Sequence, residues 1–218
     1  MSLRHDYILR LIRQLAQAIG RLVSRAQNAD PEEVWQELEQ ALEDLTGLDL
    51  PLLRRLPLEQ LLGGLRMGEG TDSIRTLAAA EVLAVDAELN ERSGRPEDET
   101  AKLRFKALGL YAVALSELGD LAQEDTVNRG LGLLEALNEW RMPPAVGLKV
   151  LLWFEQRLEF ARGEDLLFDL MESDSTGRVS AAGLDFYSRL LEIGDEELER
   201  GGLPREEILT GMKELAVR

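Results

Sequence analysis

Apolar residues recur along this chain at intervals of three and four, the spacing that gathers side chains on one face of an α-helix. Between Asp6 and Val23, the residues Ile8, Leu11, Ile12, Leu15, Ile19 and Leu22 form one stripe flanked by arginines. A second helix is predicted after Asp30, a capping residue followed by Pro31 and two acids that suit a helix N-terminus. Its stripe is Val34, Trp35, Leu38, Leu42 and Leu45, and Gly47 stops it. Two short helices follow, each opened by a proline (Pro51, Pro57), and the glycines from Gly68 end the second. Four longer helices come next. The first is capped near Thr71 or Asp72 and stopped by Gly94; the second ends at Gly119. The third runs to Trp140 and is interrupted at Met142 to Pro144. The fourth turns Val146, Val150, Trp153, Phe154 and Leu158 inward, with Gly163 as its stop. Shorter helices are predicted over 164–171, 181–193, 195–200 and 204–216.

No segment sustains an alternation of period two, so the fold class is all-α. Short connections between long amphipathic helices make antiparallel neighbours. The four long helices are therefore read as two consecutive αα-hairpins stacked in series. Three segments are expected, packed as one continuous domain: 1–70, 71–163 and 164–218.

Two resemblances bear on this architecture. The stretch from Asn90 to Leu108, with Gly94 at a turn and Ala101, Phe105 and Ala107 beyond it, resembles the turn of a tetratricopeptide repeat; the surroundings of Gly119 look like the same turn again. The period of about 34 residues does not extend beyond this region. The opening helix, with Asp6, Tyr7, Arg10 and Leu15, and the later "GLDL" at Gly47 to Leu50 resemble the start of an uncharacterised family of bacterial helical proteins. That resemblance covers the first half of the chain. It implies tetratricopeptide-like hairpins and brings no catalytic residues.

Composition sharpens the picture. Leucine is about a fifth of the 218 residues and aromatics are 5%, a balance that favours helix over strand. There is no cysteine, which removes disulfides and thiolate chemistry and fits a cytoplasmic location. A single histidine, His5, rules out within one chain the Ser-His-Asp and two-histidine metal arrangements. The net charge of −16 repels phosphate backbones, so no nucleic-acid partner is expected. No apolar run is long enough to span a membrane, and Arg10 and Arg13 break up the apolar run a secretory signal needs.

The stretch Glu172 to Gly183 looks like a calcium loop of the helix–loop–helix kind. Asp174, Thr176, Gly177 and Val179 sit where ligands, the turn glycine and the apolar residue belong. Glu172 opens it in place of the usual aspartate, however, and Gly183 stands where a bidentate glutamate must close the coordination sphere. The segment is read as a turn, with Gly177 at positive φ and Ser180 capping the next helix. "LGGLRMGEG" lacks both the Gly-Lys-Ser/Thr and the preceding strand of a phosphate cradle. Glu81, Asp86 and Glu88 are assigned to solvated helix faces, and the aromatic residues, Trp35, Trp140 and Trp153 among them, to the core.

Residues 1–25 carry five arginines against one acid, so the remainder of the chain holds a net charge of −20. A basic amphipathic helix beside an acidic body suits three roles: docking on its own body, binding a partner or twin subunit, or resting on an anionic membrane surface. The expected function is a non-enzymatic interaction or scaffold module without cofactor or metal. Its partner is another protein or a second copy of the chain, as in a homodimer. Tyr7, Ile8, Arg10, Leu11 and Leu15 are the expected contact residues. The alternative is a helical bundle that binds a small molecule or metal, and is enzymatic if so equipped, through Glu, Asp and Arg alone.

Overall fold

The computed structural model describes residues 28–217 except 68, 69 and 175, together with residues 17, 20, 21, 24 and 25. From Pro31 onward eleven α-helices are present among the described residues: α1 Pro31–Thr46, α2 Leu50–Arg55, α3 Leu58–Gly64, α4 Ser73–Arg92, α5 Glu97–Leu118, α6 Glu124–Ala136, α7 Pro144–Gln156, α8 Phe160–Met171, α9 Arg178–Leu190, α10 Asp195–Arg200 and α11 Arg205–Val217. Among the described residues the only strands are a two-residue antiparallel pairing, Arg66–Met67 with Gly70–Thr71. The chain divides into two compact units, Met1–Arg141 and Met142–Arg218. The two helices expected to form the second hairpin, α6 and α7, thus belong to different units.

The first unit is built around α4 and α5. Asp72 caps α4 by accepting a hydrogen bond from the Arg75 amide at 3.1 Å. At the other end, Gly94 (φ 68°) donates to the Glu91 carbonyl and Arg95 donates to the Asn90 carbonyl, the paired bonds of a Schellman motif. Pro96 prevents the helix from resuming, and α5 runs back antiparallel along α4. Helix α1 packs on α4 through Val34, Leu38 and Leu42, all fully buried. Each such side chain contributes about 1.5–3 kcal/mol on transfer from water. Helix α3 lies against α5, where Gly109 has no Cβ and Leu58 fills the space. Helix α4 is covered on nearly every side: its buried residues run from Thr76 to Asn90 and include Glu81 and Asp86.

The second unit has its own core, in which Phe160, Leu167, Phe186, Tyr187, Leu190, Leu198 and Ile208 are completely buried. Helix α7 packs on α8, and α9 packs on α7, α8 and α11. The expected fourth long helix breaks at Arg157–Glu159, where Leu158 takes φ 56°. Gly163 is not the stop expected of it. It lies inside α8, where a Cβ would sit 3.2 Å from Leu151 and 3.3 Å from Phe186, so the glycine serves close packing. Ser180 likewise lies within α9 rather than at its cap. The Asp174 carboxylate takes that role, accepting from the Val179 amide at 2.7 Å, and Gly177 enters the helix at φ 73°.

Candidate functional site

Charged side chains inside the first unit occur as two separate clusters, both anchored on α4. Asp86 is fully buried and its carboxylate accepts three hydrogen bonds. Trp35 Nε1 donates to Oδ1 at 2.9 Å, Arg54 Nε donates to Oδ2 at 2.7 Å, and Arg54 Nη2 also bonds Oδ1. This bond to Asp86, against the opposing effect of burial, raises the Arg54 pKa above its ordinary value, and the charge of Glu39 adds to the effect. The local sequence explains how Arg54 is presented. Asp49 caps α2 at the Leu52 amide, Pro51 sets its first turn, and Lys106 Nζ donates to the last-turn carbonyls of Leu53 and Arg54 at 3.0 and 2.5 Å. Burial lowers the Lys106 pKa.

Above this pair lies a cleft of 230 Å³, lined by Glu32, Trp35, Glu39, Leu50, Arg54 and Arg95 among others. The Arg95 guanidinium stacks over the Trp35 ring, 4.7 Å from its centroid, and that of Arg54 lies 5.8 Å from the same ring. Arg95 is exposed and has no carboxylate partner among the described residues.

Glu81 is the second buried acid. Arg129 of α6 grips it through Nε, at 3.0 and 2.9 Å to the two carboxylate oxygens, and through Nη2, which also reaches Thr126 Oγ1 at 3.3 Å. Tyr111 is buried beside this pair; its hydroxyl has no hydrogen-bond partner of acceptable geometry, and burial pushes its pKa up. Glu81 and Asp86 are five residues apart and so point about 140° away from each other on the helix. They tie α4 to different neighbours and do not converge on a common centre. Glu81 and Asp86 are therefore buried and paired, not on the solvated helix faces expected of them. The sequence held a usable signal: the neighbours of Glu81 three and four residues away, Leu77, Ala78, Ala84 and Val85, are all apolar, as are Val82, Leu83 and Leu89 around Asp86. Glu88 is exposed, as expected.

The second unit carries an acidic cleft of 370 Å³ between α8 and α11, lined by Glu164, Glu206, Glu207, Thr210 and Glu214 among others. Tyr187 Oη donates to Glu164 Oε1 at 2.6 Å. Gly211 leaves room for that hydroxyl, since a Cβ there would lie 2.9 Å from Glu164 Oε1 and closer still to the tyrosine. Burial, together with the charges of Glu207, Asp165 and Glu214, raises the Glu164 pKa despite the hydrogen bond from Tyr187.

In the calcium-like stretch, Asp174 Oδ1 accepts from the Thr176 amide at 2.8 Å and from its hydroxyl at 2.7 Å, while Oδ2 serves Val179. Gly183 is buried, and a Cβ there would meet Leu167 and Leu215 at 3.0 Å or less. A glutamate at this position would have to enter the core. Among the described residues, no three acidic or histidine side chains are grouped to hold a metal ion.

Of the aromatic residues expected in the core, Trp153 is buried, Trp35 is half-buried at the cleft, and Trp140 is 39% exposed. Tyr7, Ile8, Arg10, Leu11 and Leu15 lie outside the described residues. Further along the same segment, Gln17, Gly20, Arg21, Ser24 and Arg25 are helical and exposed, and they border a concavity of 620 Å³ that no second element closes among the described residues. Arg25 reaches Glu37 of α1 at 2.6 Å and Glu33 at 3.7 Å, so one of the basic residues meets carboxylates of its own chain. No helix among the described residues is long and apolar enough to cross a membrane.

Comparison with curated proteins and with solved structures finds no match. A family model does match, over residues 2–218, well beyond the first half in which the resemblance was visible. The chain belongs to the family of unknown function DUF6483.

Proposed function

We propose that this protein is a non-enzymatic interaction module that recognises another protein through charge complementarity on a rigid helical frame. The observation that carries the reading is the cleft at Trp35. It presents a tryptophan ring and two arginines, residue types that concentrate binding energy at protein interfaces, bordered by two glutamates that add charge selectivity. Its floor is fixed by the Asp86 network, so presenting these groups to a partner needs little reordering. The other buried charges of this unit pair with each other, which is how helices are held in place. The α4–α5 hairpin, with Gly94 at its turn and Ala101, Phe105 and Ala107 buried, supports a tetratricopeptide-like ancestry within this reading. The basic first helix, through Tyr7, Ile8, Arg10, Leu11 and Leu15, is a second proposed contact surface, for a partner or a twin subunit; a cytoplasmic location fits the same reading.

The test is affinity capture from lysate with the wild type and with Glu32→Lys/Glu39→Lys, two exposed reversals that remove none of the hydrogen bonds to Asp86. A defined partner retained by the wild type and lost from the variant, with the helical circular dichroism unchanged, is the expected result. Identical partners in both samples would remove the cleft as the recognition surface.

A second reading, a cation-binding helical bundle, is favoured by the acidic cleft lined by Glu164, Glu207 and Glu214. It requires that spermidine, a diffuse organic cation, raise the unfolding temperature of the wild type more than that of Glu207→Gln/Glu214→Gln.

A further inference from the structure

The Schellman motif that ends α4 places Arg95 at its last position, with the backbone amide fixed on the Asn90 carbonyl. An apolar residue is usual there and packs back onto the helix. Arg95 instead places its guanidinium over Trp35, 4.7 Å from the ring centroid. Without Arg95, the cleft presents an indole face, the carboxylates of Glu32 and Glu39, and Arg54, whose charge is already matched by the buried Asp86. An aromatic face bordered by two carboxylates that make no ion pair among the described residues attracts cations. A planar guanidinium suits it better than a compact ammonium, because it can stack on the ring while its edge still donates to carboxylates.

We propose that the Trp35 cleft is a guanidinium-binding site that Arg95 occupies as an internal ligand, and that an arginine side chain of a partner protein binds by exchanging with it. The proposal rests on the interaction-module reading and specifies the partner's chemistry: an exposed arginine on a basic segment, matched to a body with a large negative charge. Arg95 is suited to exchange. Its side chain is exposed and makes no ion pair among the described residues, so the ring stack alone holds it in place. Asp86 and Arg54 keep the indole oriented whether Arg95 is in place or not. With Arg95 as one of its walls the cleft still holds 230 Å³ of open space, so an incoming side chain has room to approach the ring edge before Arg95 leaves.

Nα-acetyl-arginine amide is the probe, added to the full chain while the Trp35 indole N–H resonance is followed, with the lysine and citrulline analogues as controls. Removing the internal competitor with Arg95→Ala is expected to tighten binding about three- to sixfold, the gain that corresponds to an exposed cation–π stack. Glu39→Gln in the Arg95→Ala background is expected to weaken it again, and citrulline amide, uncharged and otherwise similar, is expected to leave the resonance in place. Equal affinity of the wild type and Arg95→Ala for the arginine probe, or equal response to citrulline, would overturn the proposal. So would the absence of any Trp35 shift in a variant whose circular dichroism matches the wild type. Because the probe is a small molecule, these failures strike the guanidinium site alone; the interaction-module reading falls only with the capture experiment.

Discussion

Glu164 shows how one residue's surroundings set its behaviour. It sits at the edge of the second unit's core, takes a hydrogen bond from Tyr187, and faces Asp165, Glu206, Glu207 and Glu214 from its own helix and from α11. Burial and these like charges raise its pKa above the ordinary 4.5, so the ionised form is less favourable in the folded chain than in the unfolded one. The sign follows from linkage. The penalty is fully present above the folded pKa, shrinks as pH falls through that value, and is gone below 4.5. Glu164→Gln keeps an acceptor for Tyr187 and removes the charge. Thermal melts across this range are expected to show the variant more stable than the wild type at neutral pH, with the difference closing on acidification. A constant difference between the two would show that the charge of Glu164 carries no cost.

At the scale of elements, α4 is held by ion pairs as well as by apolar packing. Arg54 ties it to α2, and Arg129 ties it to α6. A buried pair adds little over a well-packed apolar pair, but breaking it leaves a charge without a partner. Arg54→Met is therefore expected to lower stability by about 3 kcal/mol, since Asp86 keeps only the Trp35 bond. Arg54→Met with Asp86→Leu is expected to lose less than the single variant, and urea unfolding of the four proteins in the cycle measures the coupling. Additive effects would mean that the pair is not coupled.

Helix ends were legible where capping chemistry is local. Asp30 with Pro31, Asp72, and the glycines at 47, 94 and 177 behave as their residue types require. The legible part failed at Gly163, because a glycine that admits Leu151 and Phe186 looks the same in sequence as one that ends a helix. The candidate site was less visible still. Trp35, Arg54, and the pair Asp86 and Arg95 come from three separate stretches, and no local pattern of polarity announces that they meet.

At the scale of the whole molecule, the division at Arg141 and Met142 gives the second unit a complete core of its own, from Leu151 to Leu215. A fragment of residues 142–218 is expected to retain helical circular dichroism and to unfold cooperatively in urea. A non-cooperative transition in that fragment would show that its core is insufficient alone.

Periodicity, capping residues and composition determined on their own that the chain is a succession of amphipathic helices, because those signals act within a few turns of backbone. Family membership is likewise a property of the sequence. Only the tertiary structure decided which acids are buried, which arginines answer them, and which glycines serve packing. The free energy of a buried charge depends on neighbours brought from distant parts of the chain, and spacing along the sequence does not record them.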